Sequence, residues 1–213
     1  ILIINDGSNE PTSLQALEPY RQLQGIRVID TTNKGLAHAR NWGAQQAKGT
    51  YLAFLDADDK VERSYYAKAI RTLQTYDNVH FVGAWTKYFE GSQKTWPTFS
   101  PEAPLILYHN TVNSSALVYK RASFLAHGLN DAGMTYQGLE DYESVIALTS
   151  KGCNGVVLPE PLLLRPPRAL LRTVAAEIVN RSPNASPIWK IRPTNCAAPA
   201  CAVHHLLGHV GEH

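Results

Sequence analysis

Three acidic residues stand close together in the first third of this sequence. Asp56, Asp58 and Asp59 directly follow the apolar run Tyr51–Leu55. Carboxylates this crowded raise one another's pKa unless a cation neutralises them. Because carboxylate oxygens are the ligands that hard divalent cations prefer, the cluster indicates a site for Mg²⁺ or Mn²⁺. A lone D-x-D pattern occurs often by chance, so its surroundings must support this interpretation.

A second acidic pair, Glu140-Asp141, stands at the start of a segment whose apolar residues recur at helical spacing. The helix dipole stabilises acids in a first turn, so both residues could simply be favourable helix starters. The same dipole would keep a carboxylate ionised, as a general base requires. The pair is therefore a candidate for acid–base chemistry.

The elements around the first acidic cluster predict how it is positioned. The segment Leu36–Ala47 has helical periodicity, with Leu36, Ala39, Trp42, Gly43 and Ala47 on one stripe that can face a core. Lys48-Gly49 is expected to end this helix, since glycine accepts a left-handed conformation. Tyr51–Leu55 is then typical of a strand covered on both faces.

The first part of the chain alternates between strand and helix patterns. Ile1–Ile4 and Ile26–Ile29 read as strands, and Ser13–Leu23 between them reads as an amphipathic helix. Such alternation predicts an α/β fold with a parallel sheet and helices on both faces. In these folds ligands bind beyond the carboxyl ends of the strands. The turn Asn5–Ser8 and the loop Thr31–Gly35 lie there.

The second half predicts further elements of the same domain. We expect a helix over Val61–Tyr76, a strand over Val79–Phe89, a strand over Ala116–Tyr119, and final strands at Gly155–Leu158 and Leu162–Leu164. Trp85, Tyr88 and Trp96 could line a binding groove by stacking on the flat face of a ligand. The alternative, that they are core residues, is more common for large aromatics.

Composition bounds the function. The 213 residues carry 20 basic and 18 acidic side chains, a net charge of +2, which gives no broad footprint for nucleic acid. Three cysteines and no N-terminal signal pattern favour a cytoplasmic setting, and no apolar run reaches the ~20 residues of a membrane span. Oligomeric state is left open.

Two motifs carry a family resemblance. The motif N-x-G-x-x-x-A-R-N at Asn33–Asn41 and the motif G-x-Y-L-x-F-L-D-A-D-D at Gly49–Asp59 resemble the nucleotide-sugar half of the inverting family 2 glycosyltransferases. Asn5-Asp6-Gly7-Ser8 and Glu140-Asp141 strengthen the match, which covers about residues 1–164. The resemblance implies a GT-A, Rossmann-like fold, a three-layer α/β/α sandwich with a mostly parallel central sheet.

The resemblance also implies a domain division. Residues 1–164 correspond to the GT-A domain, without the strand and turn with which the family usually opens, so we expect a domain truncated at its N terminus. Residues 165–213 form a tail, partly helical and then irregular. Cys196, Cys201 and the histidines after them have ligand types suited to zinc, but their spacing matches no common zinc finger.

On the donor side, the resemblance implies a nucleoside diphosphate sugar, UDP-linked by family frequency. Asp6 would recognise the base, and Arg40 would lie at the nucleotide. Lys34 could meet a phosphate or remain solvated. Asp58 would hold Mg²⁺ or Mn²⁺, and Asp56 would share the cation or bind the ribose. Of the family's closing lid, only Arg165 has a match.

On the acceptor side, Asp141 would take the proton from a hydroxyl group and Glu140 would help to bind the acceptor. The acceptor could be a glycan, a lipid-linked sugar or another hydroxyl compound, which leaves open a peripheral association with the inner face of the membrane. Two other hypotheses remain: a nucleotide-sugar-binding fragment without turnover, and a phosphohydrolase with an aspartate nucleophile in its D-x-D motif.

Overall fold

The computed structural model describes residues 1–89, 94–112, 116–134 and 138–166, and the expectations for the tail beyond residue 166 lie outside this part of the chain. Its strands are β1 (Leu2–Asp6), β2 (Arg27–Thr31), β3 (Tyr51–Ala53), β4 (Lys60–Val61), β5 (Val79–Tyr88), β6 (Thr95–Trp96), β7 (Val118–Lys120) and β8 (Asn154–Arg165). Its helices are α1 (Pro11–Arg21), α2 (Leu36–Gln46), α3 (Tyr65–Thr75), α4 (Leu105–Tyr108), α5 (Arg121–His127) and α6 (Glu140–Ser150).

The strands form two sheets. β1 and β2 pair in parallel, with α1 as the crossover between them, as the alternating pattern predicts. The larger sheet has the order β3-β7-β5-β8-β4, and β6 pairs with β5 at one end. β5 and β8 are parallel neighbours, and this pair carries the longest ladder of the sheet.

The larger sheet is mixed rather than mostly parallel. Apart from β5–β8, its described pairs are antiparallel: β3–β7, β4–β8, β5–β6 and β5–β7. A parallel neighbour requires a long crossover, usually a helix. β7 has only the four-residue α4 before it, and β4 follows β3 without a helix between them. The sequence pattern identifies these strands but does not reveal their directions.

Two apolar clusters cover the two faces of the larger sheet. Because successive strand residues point to opposite faces, Phe81 lies in one cluster and Val82 in the other. Helices α5 and α6 contribute Phe124 and Leu148 to the first cluster, and α3 contributes Leu73 to the second. The expected three layers of the α/β fold are therefore present.

Several local predictions need correction. α2 ends at Gln46 because Ala47 is already extended, and Gly49 has no positive φ, so it does not end the helix in the expected way. Trp42 is 38% exposed and leaves the core to smaller side chains. Val61 belongs to β4, where it pairs with Leu163, rather than to α3.

The C-terminal strands also differ from the prediction. The two strands expected around Pro159 and Pro161 form one continuous strand, β8, which accommodates its prolines through register irregularities against Ala84, Trp85 and Thr86 of β5. No helix within the described ranges has the length and apolar character needed to cross a membrane.

Candidate active site

Arg40 links the helix of the first motif to the acidic cluster of the second. Its Nη2 donates a hydrogen bond of 2.6 Å to Oδ1 of Asp56, and the two side chains are only 9% and 26% exposed. Burial by itself lowers the pKa of Arg40, but the charge and hydrogen bond of Asp56 outweigh it and raise that pKa overall. Arg40 therefore stays charged.

A second arginine approaches the cluster from the end of β8. Arg165 donates from Nε and Nη2 to the carboxylate of Asp59, each over 3.2 Å. Burial raises the pKa of Asp59 to about 7, although Arg165 opposes this rise. The sequence places Asp59 in the predicted cation-binding cluster, and in the structure its carboxylate pairs with this arginine.

Asp58 lies between the two salt bridges. Among the described residues, the two arginines pair with Asp56 and Asp59, so neither forms a salt bridge with Asp58. Burial, and then the nearby charge of Asp56, raise the pKa of Asp58. A partly buried carboxylate that is unfavourable when charged gains from a bound cation.

Within the described ranges, no group of three or more His, Cys, Asp or Glu side chains is arranged to hold a metal ion on its own. Mg²⁺ is usually bound by one or two carboxylates together with substrate phosphates rather than by a complete protein cage. Asp58 and Asp56 can supply those carboxylates. These two carboxylates therefore suit a cation that arrives together with a diphosphate.

Asp141 occupies the first turn of α6, as predicted, and faces the same cluster. Burial raises its pKa, while the charge of Arg40 and a hydrogen bond from the Tyr142 backbone N–H, 2.8 Å long, lower it. The sequence predicts that the helix dipole keeps this carboxylate ionised, and in the structure burial is the largest of the influences that together raise its pKa. A pKa moved toward neutrality suits a general base.

Glu140, the neighbour of Asp141, contacts the residues just before α6. It is buried, and its Oε2 accepts a hydrogen bond of 3.0 Å from the backbone N–H of Gly138, whose φ is +94°. Its carboxylate therefore holds the loop before α6 in this structure. The acceptor-binding role expected for Glu140 stays a prediction.

Six charged side chains act on one another within this site. Burial aside, the charges of Asp56 and Arg165 affect the pKa of both Asp58 and Asp141, and Arg40 affects that of Asp141. Four carboxylates and two guanidinium groups leave a net charge of −2 when all are ionised. One divalent cation would balance that charge. The six residues are Arg40, Asp56, Asp58, Asp59, Asp141 and Arg165.

Asp6 lies at the end of β1 and organises the loop before α2. One carboxylate oxygen accepts from the backbone N–H of Lys34 over 3.0 Å, and the other accepts from the N–H of Gly35 over 2.9 Å. Gly7 has a φ of +72° and approaches Asn33 so closely that a Cβ would lie 2.6 Å from its backbone nitrogen. The turn and the loop are thus tied together at the start of α2.

The residues predicted to bind the nucleotide-sugar donor form two groups joined by α2. Asp6 holds the loop that precedes this helix, and Arg40 on the helix reaches Asp56. Lys34 has an exposed side chain. Thr31 Oγ1 also donates to Asp6, so of the roughly four acceptor positions of this carboxylate about one is left for a ligand.

The three aromatic residues expected in a binding groove differ in exposure and in their contacts. Trp85 is partly buried and donates from Nε1 to the backbone oxygen of Thr98 over 3.1 Å. The rings of Tyr88 and Trp96 lie 6.5 Å apart, and Trp96 is exposed. A structural role therefore accounts for Trp85, and the Tyr88–Trp96 pair stays a candidate for stacking.

Sequence reasoning missed two asparagines near the site. Asn41, the last residue of the first motif, exchanges two hydrogen bonds with the backbone of Asn130, and Asn130 in turn binds the backbone of Glu140. The position of Asn41 beside Arg40 was the only available signal. Nothing local marks Asn130.

Comparisons with known proteins give the family. The glycosyl transferase family 2 model matches residues 1–127. EpsH from Bacillus subtilis is 38% identical over 72 residues, which is 34% of this chain and 21% of EpsH. An uncharacterized glycosyltransferase of Haemophilus influenzae is 27% identical over 171 residues, covering 72% of this chain and 52% of the relative. The matched region is thus about a fifth to a half of these relatives.

Solved structures give the same fold. Staphylococcus aureus TarS 1-349, solved in complex with UDP-GlcNAc, superposes with a TM-score of 0.63 at 19% identity, covering 98% of this chain and 63% of TarS. GalNAc-T7, solved with UDP, GalNAc and Mn²⁺, gives a TM-score of 0.61 at 21% identity over 77% of this chain and 36% of that protein. At these identities the likeness concerns the GT-A fold alone.

The phosphohydrolase hypothesis depended on the D-x-D motif, and the residues matched by the family model include that motif. The family match therefore leaves that hypothesis without support. It covers more than half of the residues and both sequence motifs. The chain belongs to glycosyl transferase family 2.

Proposed function

We propose that the chain transfers a sugar from a UDP-linked donor to an acceptor hydroxyl group with inversion at the anomeric carbon. The observation that carries this proposal is the placement of Asp141 among Arg40 and the aspartates that follow β3. A base candidate from the acceptor side thereby lies beside the charges suited to a diphosphate. The uridine donor rests on the ligands named for TarS and GalNAc-T7.

In the proposed reaction, the acceptor oxygen attacks the anomeric carbon from the face opposite the diphosphate. The new C–O bond forms as the bond to the diphosphate oxygen breaks, and Asp141 takes the hydroxyl proton. The raised pKa of Asp141 gives it affinity for that proton. Arg40, held by Asp56, contributes a fixed positive charge near the departing diphosphate.

Asp58, with Asp56 beside it, would hold Mg²⁺ or Mn²⁺ together with the donor. The cation, when bound, would neutralise the negative charge of the leaving diphosphate. Asp6 would contact the base, since its carboxylate stands at the end of β1 with acceptor capacity left over. Arg165 and Lys34 would add positive charge near the phosphates of the sugar donor. Arg165 would do so by leaving its salt bridge with Asp59 and binding the donor instead.

The acceptor side is proposed from chemistry alone. Glu140 and the Tyr88–Trp96 pair, of which Trp96 is exposed, are the candidates for binding a sugar-like acceptor, which could be a glycan or a lipid-linked sugar. A lipid-linked acceptor would bring the chain to a membrane surface. Binding without turnover remains the second candidate, because the chain covers only part of its relatives.

Calorimetry with UDP, GDP, CDP and dTDP, each with and without Mn²⁺, tests the donor part of this proposal. UDP with Mn²⁺ should bind most tightly, and Asp58→Asn should lose most of the contribution of Mn²⁺. Equal binding of all four nucleotides, or no effect of Mn²⁺, would contradict it. A radiolabelled UDP-sugar assay then separates transfer from binding alone, and release of phosphate from p-nitrophenyl phosphate would favour the phosphohydrolase.

A further inference from the structure

Asn41 makes a two-way contact with a distant part of the chain. Its Nδ2 donates to the backbone oxygen of Asn130 over 2.7 Å, and its Oδ1 accepts from the backbone N–H of Asn130 over 2.8 Å. The side-chain amide thus copies the pair of hydrogen bonds that two strands exchange. The contact joins helix α2, on the side of the nucleotide-sugar donor, to the loop that follows α5, and the two residues are 89 positions apart in the sequence.

Asn130 continues the chain of contacts toward the proposed base. Its side chain is buried, and its Nδ2 donates to the backbone oxygen of Glu140 over 3.2 Å. Glu140 is the first residue of α6, and Asp141 follows it. Ser144 of the same helix donates to the backbone oxygen of Gly128 over 2.6 Å, so the loop is fixed to α6 at a second point.

The two ends of this chain of contacts are the two halves of the proposed chemistry. Asn41 is adjacent to Arg40, which pairs with Asp56, and Glu140 is adjacent to Asp141. We propose that Asn41 and Asn130 are positioning residues, which hold the base Asp141 at a fixed place relative to the donor site around Arg40. This inference rests on the proposed transfer reaction and adds two residues to which nothing in that proposal gives a role.

Positioning of this kind has a distinct kinetic signature. A misplacement of about 1 Å can cost roughly 10²-fold in rate, even when substrate contacts are intact. Asn41→Ala removes both hydrogen bonds but leaves Arg40, Asp56 and Asp58 in place. We therefore expect kcat for sugar transfer to fall about 10- to 100-fold while the Kd for UDP with Mn²⁺ changes by less than about threefold.

Two further variants grade the effect. Asn130→Asp keeps the backbone contacts with Asn41 but loses the amide donor to Glu140, so kcat should fall without a change in the contact between α2 and the loop. Asn154→Ala is the matched control, because Asn154 also donates from Nδ2 to a backbone oxygen, that of Asn78, on an exposed part of the protein. It should leave kcat and the Kd for UDP unchanged.

The decisive experiment is a double-mutant cycle with Asp141→Asn. If Asn41 acts through Asp141, adding Asn41→Ala to Asp141→Asn should lower the residual kcat by less than about twofold, because effects of residues that act as a unit are not additive. A further 10-fold loss in the Asp141→Asn background would overturn the proposal. So would an Asn41→Ala variant with the parent's kcat.

A parent that shows no sugar transfer would refute the proposed function. Amide hydrogen exchange tests the positioning role of Asn41 even in that case. In Asn41→Ala, the amides of Asn130, Tyr142 and Glu143 should exchange about tenfold faster, since the loop that holds the first turn of α6 loses its hydrogen bonds to α2. Faster exchange at Asn130 alone, with the first turn of α6 unchanged, would show that the contact does not position Asp141.

Discussion

Replacing Asp141 by asparagine should separate catalysis from stability. The substitution is nearly isosteric, and it removes the negative charge of the side chain together with its ability to take a proton. We expect kcat for sugar transfer to fall by about 10²–10⁴-fold, the usual value of a positioned general base. Because Asp58, Asp56 and Arg40 keep their contacts, the affinity for UDP with Mn²⁺ should stay within about threefold of the parent's.

The stability effect has a sign that follows from the pKa of Asp141. That pKa is raised in the folded protein, so between its unfolded and folded values the native state binds more protons than the unfolded chain, and stability falls as pH rises. Asparagine does not titrate. The melting temperature of Asp141→Asn relative to the parent should therefore be higher at pH 8 than at pH 4.

The size of this difference measures how strongly burial acts on the carboxylate. One pKa unit corresponds to about 1.4 kcal/mol, and for a chain of this length about 1 kcal/mol moves the melting temperature by roughly 2–4 °C. Differential scanning fluorimetry at both pH values, with the exposed Asp77→Asn as the matched control, resolves such shifts. A variant that keeps full transfer, or one that is destabilised more at pH 8 than at pH 4, would refute this account of Asp141.

Three further predictions concern the acids that follow β3. Asp58→Asn should both weaken the binding of UDP with Mn²⁺, measured by calorimetry, and lower kcat, measured by rate assays. An unchanged dependence on Mn²⁺ would exclude Asp58 as a metal ligand. A proton on Asp59, whose pKa is about 7, removes a negative charge beside the cation site, and the pKa of Asp58 is also raised. The thermal stabilisation by UDP with Mn²⁺ should therefore increase from pH 6 to pH 8, and a constant stabilisation would contradict this. Arg165→Met should lower stability at pH 8 by about 1 kcal/mol, because Asp59 without its partner must bind a proton about one pH unit above its pKa of about 7. Adding Asp59→Asn should restore most of the loss in urea unfolding, and no restoration would mean that the salt bridge is not the cause.

Local patterns predicted the parts of the site that local sequence controls. The acids after β3 and the pair at the start of α6 could be found because a strand end and a helix start each have their own signature. Gly152 follows the C-cap Lys151 of α6 with a φ of +76°, the left-handed conformation in which glycine ends a helix. The three-layer α/β architecture followed from the alternation of strands and helices.

Long-range pairing could not be predicted in the same way. The sequence shows that Arg40 and Arg165 are basic, but not that Asp56 takes the first and Asp59 the second. Those choices depend on how β8 lies beside β4, and β8 was itself expected as two strands. The antiparallel pairs of the larger sheet were missed for the same reason, since strand direction depends on the path of the connecting chain.

The proposed function depends most on Asp141 acting as the base of an inverting transfer. The most direct measurement is the configuration of the anomeric carbon in the product formed from a UDP-α-sugar, read from the NMR coupling of its anomeric proton. We predict a β-linked product from the parent and a rate lower by at least about 10²-fold from Asp141→Asn. An α-linked product, or a β-linked product formed at the parent's rate by Asp141→Asn, would contradict the proposed mechanism.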